Sequence, residues 1–78
     1  MSRDALTVLA NMVLQQVQDA GAAMREGSVL VSLPTYLDAT DVQLLQMEVN
    51  RWSVVSIELQ HRPGERRVGV RLIRARRQ

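Results

Sequence analysis

Seventy-eight residues without a cysteine are enough for one domain, and they exclude disulfides and thiolate metal sites. One histidine, one tryptophan, one tyrosine and no phenylalanine exclude a histidine-rich metal site and require an aliphatic core. All ten basic side chains are arginine, and the formal charge of +2 is uneven: residues 1–39 carry Arg3 and Arg25 against four acids (net −2), and residues 40–78 carry eight arginines against four (net +4).

That dipole points to an acidic partner, either nucleic acid or protein. The all-arginine set fits a GC-rich genome as readily as selection for bidentate recognition of phosphate or carboxylate. A chain of this size buries only about 60% of its unfolded surface, so self-association is the remaining route to extra stability. Arg3, the run ALTVLANMVL and the small residues at 20–22 imitate a secretion signal. Asp4 in the would-be basic region and Asn11 in the apolar run argue against one. No run approaches the roughly 18–20 apolar residues of a membrane span. A cytoplasmic chain without membrane contact is expected.

The first element is a helix over 3–25. Leu6, Leu9, Val13, Val17, Ala20 and Met24 recur every three or four residues. Ser2 can cap it and Asp4 suits its dipole. Gly21 is an early stopping point, but Met24 continues the stripe and Gly27 is the better stop. Val8 and Met12 flank the stripe on one side, Ala10 and Leu14 on the other. The apolar arc exceeds one packed face, which makes Val8 and Met12 candidates for a second contact surface.

SVLVSLP predicts a strand over 28–33, ended by Pro34. A loop, TYLDATD, precedes a helix over 39–51. Asp38 can cap this helix, with Leu37 and Val42 as a staple; Thr40 with Gln43 is a competing capping box. Val42, Leu45, Val49 and Trp52 share its apolar face. Leu44 and Met47 point the other way, among polar neighbours, as candidate interface residues.

A hairpin follows over 53–61 and 66–75. Pairing 59 with 68 places Leu59, Ile57, Val55, Val68, Val70 and Leu72 on one face. Gln60, Glu58, Ser56, Arg67 and Arg71 then share the other face. RPGE supplies the turn, Pro63 presetting φ and Gly64 providing a positive one. A four-residue loop closed by His61 and Arg66 fits better than a two-residue turn. Residues 74–78 form a basic tail.

The order is α-β-α-β-β in one domain, 1–78. A right-handed crossover makes strands one and two parallel, and the hairpin adds an antiparallel strand. The expected class is α+β: a two-layer sandwich with a three-stranded mixed sheet, two helices on one face and the other face open. This order resembles the β-α-β-α-β-β plan of the Alba chromatin proteins, the C-terminal domain of translation initiation factor three and the TusA-like sulfur carriers, with the first strand missing. The CPxP motif of the last group is absent, which excludes sulfur transfer. The first two groups bind nucleic acid through basic hairpins, a topological analogy only.

No catalytic constellation is present. There is no GxSxG, the glycines at 21, 27, 64 and 69 form no phosphate loop, and His61 sits at the hairpin mouth. No enzyme activity and no cofactor are expected. Arg62, Arg66, Arg67, Arg71 and Arg74 are the candidate contacts to a partner or to nucleic acid. Against base stacking, Trp52 lies on a buried helix face and Tyr36 on the far side of the second helix. The leading expectation is a small regulatory protein acting by stoichiometric protein contact, as an accessory subunit or inhibitor. Small phage-encoded inhibitors, anti-CRISPR proteins among them, have this general character. Its partner is expected to present an acidic or nucleic-acid-like surface to the hairpin, or to be a second copy docked on an apolar helix flank. The competing expectation is nucleic-acid binding through the arginine hairpin and tail.

Overall fold

A computed structural model describes residues 2–53, 55–62 and 64–75, excepting the side chains of Arg25, Arg74 and Ala75. The turn proline Pro63, Val54 and the tail arginines Arg76 and Arg77 lie outside the described residues. The chain is α+β: helices α1 (Arg3–Ala20), α2 (Ala22–Glu26) and α3 (Ala39–Trp52), and strands β1 (Ser28–Ser32), β2 (Val55–Gln60) and β3 (Arg67–Ala75).

The expected helix over 3–25 is two helices. Ser2 Oγ accepts from the Ala5 N–H at 3.1 Å and starts α1. At Gly21 the backbone turns to φ 53°, ψ −118°, a conformation closed to most side chains, and the helix breaks. The short α2 returns Met24 to the core, where it is buried. The apolar stripe therefore continues across a pivot that periodicity alone does not reveal. Helix α3 begins at the expected cap: Asp38 Oδ1 accepts from the Asp41 N–H at 2.8 Å. Leu37 packs against the core that holds Val42. The C-terminal end differs from expectation. Trp52 is 59% exposed and does not join Val42, Leu45 and Val49 in the core.

The sheet order is β1-β3-β2, and both neighbouring pairs are antiparallel. The expected mixed sheet is corrected: β1 and β2 run the same way but are not neighbours, because β3 lies between them. Width explains this. A helix about 10 Å across fits over two strand spacings of about 4.8 Å better than over one. Central β3 also carries Val68 and Val70, which are buried, with Val70 facing Val29 on one side and Leu59 on the other.

The hairpin register is corrected by two residues. Leu59 pairs with Val70 and Ile57 with Leu72, and an irregularity between Ser56 and Ile57 shifts the remainder. From Ile57 to Gln60 a two-residue slip keeps every side chain on its expected face, so burial pattern cannot tell the registers apart there. Two local contacts favour the observed one. Glu58 comes directly opposite Arg71, with 2.7 Å between their charged atoms. Gly69 faces Gln60, whose side chain fills the space a Cβ at 69 would enter, 3.2 Å from its Oε1. The strands end at Gln60 and Arg67, which leaves a longer loop of residues 61–66.

Both sheet borders are met by helix amides. On β1, Ser32 donates its N–H to Gln16 Oε1 (3.0 Å) and accepts from Gln16 Nε2 (2.8 Å). On β2, Ile57 exchanges the same pair of bonds with Asn50, at 2.8 and 2.9 Å, and the Leu59 N–H reaches Gln46 Oε1 at 2.8 Å. Each amide stands in for a missing strand.

Candidate interaction surfaces

Strand β3 presents its arginines on the face opposite the buried valines, where Arg67 and Arg71 are exposed. Each has a carboxylate neighbour. Arg71 pairs with Glu58, and Arg67 pairs with Glu65. Arg62 lies 3.7 Å from the same Glu65. Such exposed pairs contribute about 0–1 kcal/mol and do not hold the fold together. They set positions and lower the local charge. Arg66 is different: its guanidinium carbon sits 5.6 Å from the ring centre of Tyr36, a cation–π distance. The side chain of Arg74 is outside the described residues.

The position of Tyr36 corrects the sequence reading. The loop before α3 and the hairpin loop meet at one end of the sheet. Leu33 donates its N–H to the Arg66 carbonyl at 2.8 Å, and His61 Nε2 hydrogen-bonds to the Leu37 carbonyl at 3.0 Å. These ties bring Tyr36 beside Arg66 instead of leaving it across α3. Together with Ser32, Leu33, Glu65 and Arg67, these two line an open cleft of about 470 Å³. Two of the candidate arginines, Arg66 and Arg67, thus share a cleft with an aromatic ring. Arg71 stands farther along β3.

The apolar candidates form two separate surfaces. Val8 and Met12, with Asn11, Gln15 and Gln16, line a shallow depression on α1. Leu44 and Met47 are exposed on α3, Met47 at 71%. They are neighbours at i and i+3 on one helix face. Against family models, curated proteins and solved structures, the chain has no match.

Sequence reasoning missed the end of α3. Glu48 is the buried charged residue there, 7% exposed. Its Oε2 accepts from the Trp52 indole N–H at 2.9 Å and lies 3.5 Å from Thr7 Oγ1 on α1. Its Oε1 lies 3.9 Å from Arg51 Nη1, and the Arg51 guanidinium is 5.5 Å from the Trp52 ring centre. An exposed indole is therefore held by a buried carboxylate and flanked by a cation. The i, i+4 spacing of Glu48 and Trp52 was the available signal. No described helix is long and apolar enough to cross a membrane, and no described group of His, Asp or Glu could hold a metal ion.

Proposed function

We propose that the chain is a non-enzymatic interaction protein, acting in the cytoplasm by stoichiometric contact with a protein partner, as an accessory subunit or a small inhibitor of the phage-encoded kind. The observation that carries this reading is Trp52, exposed yet fixed by Glu48. Tryptophan and arginine dominate the energetics of protein interfaces, and a side chain already held in place loses little freedom on binding. Arg51 flanks the anchor, and Leu44 and Met47 add exposed apolar surface on another face of α3. The partner that fits is a protein with an apolar pocket and an acidic rim: the pocket takes the indole, and the rim meets Arg51. The reading treats the chain as a two-layer α/β sandwich with both long helices on one sheet face. The exposed arginines of the opposite face support that arrangement.

The test is affinity capture from the native host, with the captured complex weighed by native mass spectrometry. Wild-type chain is expected to retain one partner at fixed stoichiometry. Trp52→Ala should weaken the complex at least 30-fold, the size of a hot-spot loss of about 2 kcal/mol. Val8→Glu, on the other helix, should leave it intact. Equal capture by the Trp52 variant sinks the reading. A complex containing only copies of this chain replaces it with self-association.

A further inference from the structure

The hairpin end carries an inference independent of Trp52. Tyr36 is 66% exposed, so Arg66 covers only part of its ring. Arg67 projects into the same cleft, and Ser32 faces it across the β1–β3 pair. A ring with an accessible π surface, beside the Arg66 guanidinium and in one cleft with Arg67, offers what an unpaired nucleotide needs: a stacking platform for the base and bidentate donors for the flanking phosphates.

We propose that this cleft binds single-stranded nucleic acid. One base stacks on Tyr36, and Arg66 and Arg67 take the phosphates on either side. Arg67 exchanges its Glu65 partner for phosphate, and the released carboxylate accepts from an N–H on the Watson–Crick edge of the base. Arg71 lies four residues farther along the same strand face, about 13 Å away, and continues the cationic track across the open sheet. A duplex does not fit this site. Its bases are already stacked on one another and cannot reach the ring. Arg62 and Arg67 share Glu65 as ion-pair partner, and Arg66 stands against the Tyr36 ring.

Fluorescence anisotropy tests the site with three probes: labelled oligothymidine of about 8 nucleotides, a duplex of the same charge, and a poly-glutamate peptide. The expected result is tightest binding to the single strand, with affinity falling steeply as salt rises. Tyr36→Ala should weaken it roughly tenfold or more, and Tyr36→Phe should retain it, because the ring and not the hydroxyl stacks. Trp52→Ala should leave oligothymidine binding unchanged, so failure here is distinguishable from failure of the proposed protein contact. Equal affinity for the duplex, displacement by poly-glutamate at matched charge, or indifference to Tyr36→Ala overturns the proposal. The second of these outcomes reassigns the cleft to acidic protein segments. The wild-type comparison of single strand with duplex needs no variant, so a misfolded substitution does not leave the question open.

Discussion

Glu48 shows how one side chain converts a helix end into a fixed surface. It is buried between α1 and α3, and it touches Thr7, Arg51 and Trp52. Glu48→Ala removes the acceptor of the indole N–H and leaves that donor to water. The expected cost is about 1.5–3 kcal/mol in a denaturant titration, the range for a lost hydrogen bond to a charged group. The second readout is specific to the contact. Trp52 is the sole tryptophan, so its fluorescence anisotropy reports its own mobility and should fall. A variant that loses stability with unchanged anisotropy shows that Glu48 supports packing without holding the indole. The sequence placed Trp52 on the buried stripe because helical spacing gives the angle around the axis. It does not give how far along the axis the core extends, and α3 outruns it.

At the scale of elements, the legible features were those set by local chemistry or by two-fold alternation. The caps at Ser2 and Asp38 and the division of β3 into valine and arginine faces follow from neighbours in the chain. The features that escaped depend on distant partners. Strand order turned on the width of α3 over the sheet, and the register turned on Gln60 meeting Gly69 and Glu58 meeting Arg71. Tyr36 was misplaced for the same reason, since two backbone and side-chain ties between loops bring it to Arg66. Gly21 lies between these cases. Its residue type hinted at a break, and the continued stripe hid it. Nothing lies within 4 Å of a Cβ built there, so Gly21→Ala meets no neighbour and suffers only from its positive φ. A loss of about 1–2 kcal/mol is expected by thermal or chemical unfolding. A neutral or stabilising effect would mean that α1 and α2 can join as one straight helix.

The whole molecule is 31 Å along its longest axis and carries its two candidate surfaces at opposite ends. Trp52 immediately precedes β2 and the arginine cleft follows it, so a strand of about 20 Å separates them. The proposed protein contact and the proposed nucleic-acid site therefore lie apart and do not compete for surface. The borders of the sheet add a different kind of constraint. In the vocabulary of polymer chemistry, a sheet with two open borders is a bifunctional monomer that grows without limit. One with a single open border is monofunctional and stops at a dimer. Gln16 on β1 and Gln46 and Asn50 on β2 occupy the border at Ser32, Ile57 and Leu59, which lowers the functionality of this chain. Gln16→Ala should therefore yield dimers by light scattering, whereas the triple change Gln16→Ala, Gln46→Ala and Asn50→Ala should yield open-ended aggregates. If the triple variant stays monomeric at high concentration, the glutamine and asparagine side chains are passengers and another device terminates the ladder.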